Sequence, residues 1–323
     1  MPHFDLLVIG EINPDLILQG ADLTPAFGQA EKLVDEASLT VGSSSVIMAS
    51  GAARLGLRTA FVGAVGEDDF GRFMLNAMEE HGIDTTACIV DPSLSTGVSV
   101  ILAHAEDRAI LTYPGAISSL RPDQVDRTLL QQTRHVHCGS YFLLWQLQAG
   151  LADIFATARA AGATTSLDTN WDPSGRWNGG LKQVYPHCDL FLPNAAEAMC
   201  ISGTNDLDEA LDVLTAQVPT LAVKLGATGA LARHGSQVVR QPAYPVQVVD
   251  TVGAGDSFDA GFLYGYLQGW PLANSLRLAT ACGSLSTRAA GGTAAQPSLE
   301  EALRVAGSMP AAERYDGSRS DDA

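Results

Sequence analysis

The chain has 323 residues, 46% hydrophobic and 17% charged, with a formal net charge of −17. Such a composition belongs to a globular protein, one large α/β domain or two ordinary ones, and no apolar run approaches the roughly 18–20 residues that span a bilayer. The acidic balance repels nucleic acid and anionic membranes, so neither is expected as a partner, and any bound phosphate must be held locally by backbone N–H groups, a helix N-terminus, one or two cations or metal ions.

The start, Met1-Pro2-His3-Phe4-Asp5, lacks the basic and apolar regions of a secretory signal, which points to a cytoplasmic protein. Residues 6–9 then read as a buried strand ending in Gly10-Glu11-Ile12-Asn13, and residues 15–18 and 33–40 have strand character with no helix between them. Helical spacing follows over 46–55, a strand over 60–65 and a helix over 71–80. Segments 96–103 and 109–113 read as a hairpin closed by His104-Ala105-Glu106-Asp107-Arg108. Strands at 135–138, 165–168, 190–192 and 221–225 then alternate with helices at 151–161, 206–217 and 258–268. The polar tail 313–323 is expected to be disordered. Five scattered cysteines (Cys88, Cys138, Cys188, Cys200, Cys282) form no C-x-x-C pair and read as buried free thiols.

Alternation of this kind predicts a mainly parallel sheet covered by helices, and the four strand segments without helices predict a small second sheet acting as a lid. Glycines and polar residues cluster where the main strands end, and in open α/β sheets the ligand crevice lies there. Asp168 and Asn170 are weaker site candidates on that ground.

The strongest chemical signal is Asp250-Thr251-Val252-Gly253-Ala254-Gly255-Asp256, a glycine turn feeding an amphipathic helix. Converging backbone N–H groups and the helix dipole suit it to a phosphate, and Asp256 can accept the proton of an attacking hydroxyl. The competing reading makes Asp256 a helix N-cap worth about 0.5–2 kcal/mol, and spacing alone leaves the two even. Neither the third glycine of a Rossmann turn nor a G-x-x-x-x-G-K-[ST] loop is present there, which disfavours a dehydrogenase or a P-loop enzyme.

Together with Ser257, Phe258 and Gly261, this segment resembles the C-terminal signature of ribokinase-like (PfkB) carbohydrate kinases. Other stretches match in order: Gly10 to Asp15, Leu55-Gly56 through Val62 to Gly71, Tyr113-Pro114-Gly115-Ala116, Pro193 to Glu197, and Lys224 to Gly229. The resemblance implies a three-layer αβα sandwich with a small β-sheet lid. Kinase domain 1–312 would take its lid from about 14–40 and 95–114. It further implies an enzyme using ATP and Mg2+ to phosphorylate a hydroxyl of a sugar or sugar-like molecule, from the ribose, fructose, sugar-acid or nucleoside classes. Asp256 would be the base and Gly253, Ala254 and Gly255 the anion hole. Asn13, Asp15, Gly42, Ser43, Ser44 and Gly115 would meet the substrate, and Asn194, Lys224, Gly226, Gly229 and Thr251 the nucleotide. Glu197 would reach magnesium through water, and Asp250 matches a carboxylate beside a monovalent cation in relatives that use K+. A homodimer through the lid is implied as well.

Plain competitors stand beside these roles. Asn194 and Glu197 fit a capping box, Asp15 a turn residue after Pro14, and Lys224 a strand-end cation in solvent. One stretch departs from the family: Gly42-Ser43-Ser44-Ser45-Val46-Ile47 carries Ser43 for a second glycine and Ile47 where an Asn is usual. That departure leaves the substrate open and admits a catalytically silent sugar- or nucleoside-binding homologue; a nicotinamide-dependent dehydrogenase is the remaining alternative.

Overall fold

A computed structural model describes residues 2–104, 107–308 and 313–314. The first half runs β1 (Leu6–Ile9), β2 (Pro14–Gln19), β3 (Glu36–Val41), α1 (Ser44–Arg54), β4 (Thr59–Val62), β5 (Ala64–Gly66), α2 (Asp69–Glu80), β6 (Ile83–Asp84), β7 (Ile89–Asp91), β8 (Val98–His104) and β9 (Asp107–Tyr113). Then come α3 (Arg127–Gln131), β10 (His135–Cys138), α4 (Gln148–Ala160), β11 (Thr164–Leu167), α5 (Leu181–Val184), β12 (Leu190–Phe191), α6 (Ala195–Ser202) and α7 (Leu207–Thr215). The chain continues through β13 (Thr220–Lys224), β14 (Ala230–His234), β15 (Gln237–Gln241), α8 (Ala254–Leu267), α9 (Leu272–Ser286), α10 (Leu299–Ser308) and β16 (Glu313–Arg314).

Ten strands form the main sheet in the order β16-β15-β14-β13-β12-β11-β10-β1-β4-β6. From β13 to β6 every pairing is parallel, and β14 to β16 extend it antiparallel. A strand covered on both faces needs a continuous apolar run, and β1 is Leu-Leu-Val-Ile, buried throughout. Its side chains alternate, so Leu7 and Ile9 enter one core while Leu6 and Val8 enter the other. Helices on the two faces complete three layers.

The second sheet has the order β3-β2-β8-β9. Residues 105 and 106, in the expected hairpin turn, lie outside the described residues. Of the tail expected to be disordered, Glu313 and Arg314 pair with β15, and the rest lies outside the described residues. The strand read over 60–65 divides at Gly63: β4 joins the main sheet and β5 pairs with β7. A Cβ at Gly63 would sit 2.7 Å from the Gly10 carbonyl oxygen, so the chain passes β1 too closely for any side chain there.

Beneath the site the sheet carries a buried polar stripe. On one face of β10, His135 and His137 both lie 2.7 Å from Ser166 Oγ of β11, and His135 Nδ1 is 2.6 Å from Thr164 Oγ1. Burial pushes both imidazoles down to about 3, with the neighbouring His137 adding to the effect on His135. A histidine held neutral supports the fold fully above its unfolded value of about 6.5 and loses that support as pH falls toward the folded value, at about 1.4 kcal/mol per unit and group. Thermal unfolding between about pH 7.5 and pH 4.5 should therefore show the parent losing more stability than the double variant His135→Gln/His137→Gln, whose amides keep hydrogen-bonding capacity without titrating. Parallel curves would contradict the assignment.

Candidate active site

Beyond the carboxyl ends of β1, β10, β11 and β13 lies a cleft of about 1390 Å³, walled by the main sheet, the second sheet and the start of α8. Next to β1, the buried Glu11 carboxyl accepts the Ser45 amide at 3.3 Å and is hydrogen-bonded by the Ser45 and Ser140 hydroxyls. Ser43 Oγ donates to the Glu11 carbonyl (2.7 Å) and accepts from the Val46 amide (3.0 Å), capping α1. Its φ is +67°, a conformation suited to the glycine usual in the family. Ser43 keeps that backbone shape, and its two hydrogen bonds offset the strain.

Asn13 donates to Ser99 Oγ of β8 at 3.3 Å, tying the first crossing to the second sheet. Asp15 is a buried residue of β2 rather than a turn residue. A Cβ at Gly42 would fall 2.3 Å from Asp15 Oδ1, so the absence of a side chain at 42 is what admits the carboxylate. Ile47 packs under the glycine turn, where a Cβ at Gly253 would meet its Cγ2 at 2.9 Å and Gly292 Cα at 2.6 Å.

Gly253, with φ of +73°, is the N-cap of α8, and no side chain caps this helix. Asp256 is therefore a first-turn residue, and the capping reading is corrected. Amides of that first turn have no acceptor within the helix, and the helix dipole adds to their positive field. Asp256 is half-buried and faces the cleft. Burial first, then the charges of Asp168 and Glu11, push its carboxyl up to about 8 against the pull of Lys224. Asp250 accepts the Val252 and Gly291 amides, each at 2.9 Å, and so binds the turn to the following loop.

Lys224 ends β13, and its ammonium lies 2.6 Å from Asp168 and 3.0 Å from Asp259. The solvent-cation reading is corrected: its side chain is 13% exposed, and its stem runs beside Gly255, where a Cβ would lie 3.4 Å from Lys224 Cδ. Burial opposes the ammonium, but the two Asp residues hold it charged. Burial also works against the Asp168 carboxylate, yet Lys224 and the hydrogen bond with Asp259 bring it down to about 2. Burial, chiefly, drives Asp259 far upward against the pull of Lys224.

The capping box is formed: Asn194 Oδ1 accepts the Glu197 amide and Glu197 Oε2 accepts the Asn194 amide, both at 2.9 Å. Burial, then Asp168, raise Glu197 to about 7. Gly226 lines the cleft with φ of +60°, and a Cβ at Gly229 would strike the Gln241 carbonyl oxygen at 2.0 Å.

The lining brings together Asn13, Asp15, Ser43, Ser44, Asn170, Asn194, Glu197, Lys224, Gly226, Gly229, Thr251 and residues 253–256. Gly42 stands behind Asp15 and Asp168 behind Lys224. Gly115 and Asp250 lie outside the lining, Gly115 at φ of +44° against the Ser95 carbonyl. Sequence reasoning missed Glu11 and Asp259; the available signal was an acid set in an apolar stretch, as in Phe258-Asp259-Ala260. Among the described residues no three His, Cys, Asp or Glu side chains converge as a metal cage. Glu197 and its neighbours fit a magnesium ion that takes most of its ligands from phosphates and water.

The profile of the pfkB family carbohydrate kinases matches residues 4–299. A fructokinase of Klebsiella pneumoniae is 32% identical over 282 residues, covering 81% of this chain and 91% of its own. A ribokinase of Haemophilus influenzae is 29% identical over 310 residues, covering 92% and 97%. An Arabidopsis thaliana ribokinase solved with ribose and ATP shares the fold at a TM-score of 0.82 and 22% identity, over 94% of this chain and 98% of its own. With the ordered motifs assembled around one cleft, the chain belongs to the pfkB family of carbohydrate kinases and is an ATP-dependent sugar kinase.

Proposed function

We propose that the enzyme transfers the γ-phosphoryl group of ATP to a hydroxyl of a sugar-like acceptor, with Asp256 as general base. One observation carries this reading. A single cleft holds Asp256 at a glycine-led helix start, with Asn13, Asp15, Ser43 and Ser44 toward the second sheet and Asn194, Lys224, Gly226, Gly229 and Thr251 toward β13. The acceptor lies between Asp15 and Asp256, the nucleotide along the β13 side, and the second sheet closes over both as a lid that excludes water. Amides of residues 253–255, at the cap and first turn of α8, meet the charge on the transferred group. Glu197, through water, would help hold a magnesium ion bound with the nucleotide, and that ion would supply neutralisation of phosphoryl charge. A carboxyl raised to about 8 is a stronger base than an ordinary carboxylate and takes a hydroxyl proton in the fraction of molecules where it is ionised, so turnover should rise as pH approaches about 8.

Asp256→Asn keeps side-chain volume and removes the proton acceptor. ADP formation coupled to sugar should slow roughly 10²–10⁴-fold, while the thermal midpoint and ATP binding stay near parental values. A variant that binds nucleotide and turns over at the parental rate would remove Asp256 from the role.

The lid also bears on assembly. Leu111 and Tyr113 of β9 and Leu39 of β3 are exposed, while Ile110 and Thr112 of β9 line the cleft, so β9 presents apolar side chains on its other face too. This supports a homodimer through the second sheet. Sedimentation should give a dimer mass that falls to a monomer on Leu111→Lys; a monomeric parent would exclude it.

A further inference from the structure

A large aromatic ring held open to solvent at a cleft mouth is a feature that neither the core nor phosphoryl transfer explains. Trp171 is 60% exposed and lines the cleft. It sits at the acceptor end: the preceding Asn170 donates to Ser140 Oγ at 2.6 Å, and Ser140 bonds Glu11 beside Asn13.

Its loop is built to hold it. Trp171 meets Trp177 at a centroid distance of 4.8 Å and an interplanar angle of 88°, and Trp177 in turn meets Phe142 at 5.6 Å. Edge-to-face contact with that exposure leaves at least one indole face uncovered. The Asp172 carboxylate closes the loop, accepting the amides of Trp177 (2.6 Å) and Ser174 (2.8 Å) and the Ser174 hydroxyl (2.9 Å). Asn170 and Trp177 adopt φ of +52° and +54°, strained positions that a merely connecting loop has no reason to keep.

From the second sheet, Ile110, 53% exposed, lines the same cleft. Ile47 adds an apolar side chain where the family usually has an amide. Charge narrows the ligand further. Among the described lining residues Lys224 is the one cation, and Asp168 and Asp259 already hold it, whereas Glu11, Asp15 and Asp256 are acidic groups at the acceptor end. A phosphosugar or sugar acid would bring an anion to that end with no cation among the described lining residues to meet it.

We propose that the acceptor is an uncharged hydroxylated ring bearing a second group with a flat apolar face, and that this group stacks on Trp171. The inference rests on the kinase reading of the cleft and specifies its acceptor. A nucleobase and the aryl or second-ring portion of a glycoside share this chemistry.

Equilibrium binding to the full chain without nucleotide separates the question from turnover. Adenosine is compared with ribose, a phenyl glycoside with the methyl glycoside, and ribose 5-phosphate serves as the charged probe. The flat-faced member of at least one pair should bind about tenfold or more tightly than its bare partner, within the range of base–aromatic stacking; which pair does so identifies the source. Trp171→Ala should erase that advantage at an unchanged thermal midpoint, and Trp171→Phe should keep most of it. Equal affinities within both pairs, absence of binding by all probes, an advantage surviving Trp171→Ala, or tighter binding of the phosphosugar would each overturn the proposal. If the stacking advantage appears but none of the probes is phosphorylated with ATP, the kinase assignment of the cleft fails instead.

Discussion

The position of the Asp256 carboxyl depends on one buried ammonium. Lys224 joins the end of β13 to Asp168 at the end of β11 and to Asp259, one turn into α8 beyond Asp256. Three separate elements are thereby fixed at the point where α8 begins. The ammonium is paired with two carboxyl groups at hydrogen-bond distance, which is how a charged group can be kept almost out of water. The Lys224 stem also fills the space beside Gly255, so the clamp sets how the first turn of α8 faces the cleft.

Around that clamp the chain accepts backbone strain at residues that line the cleft. Ser43, Ser140 and Asn170 all adopt positive φ, and each is anchored by a side-chain hydrogen bond at the cleft rim. Glycine does the complementary task at 42 and 253, one admitting Asp15 and the other letting the turn pass over Ile47. Floor and rim are thus set before any ligand arrives, which favours a preorganised site over one assembled on binding.

The alternation of short apolar runs with helical spacing was legible because parallel strands buried on both faces have few sequence alternatives, and the glycine turn before Asp256 was legible because few functions need it. Less was visible where the decisive contact is distant. Beside its expected place in the nucleotide loop, Lys224 admits the reading of a surface cation until Asp168 and Asp259, 56 and 35 residues away in sequence, are brought against it. By spacing Asp256 fitted a cap as well as a base, but the cap is Gly253. Gly63 gave no local sign that it divides a strand, since the cause is the backbone of Gly10. The departures at 43 and 47 were visible as letters only; that Ser43 keeps a glycine-like conformation and Ile47 fills space under the turn depends on packing.

The clamp itself is tested most directly by urea unfolding of two variants side by side. Lys224→Met preserves the stem but leaves Asp168 buried without its cation, and should cost about 3–5 kcal/mol. Asp259→Asn keeps the side-chain shape and supplies an amide that can donate to Asp168, and should cost about 1 kcal/mol or less. Equal losses, or a Lys224→Met midpoint matching the parent, would contradict a three-residue clamp held by Lys224 at the root of the site.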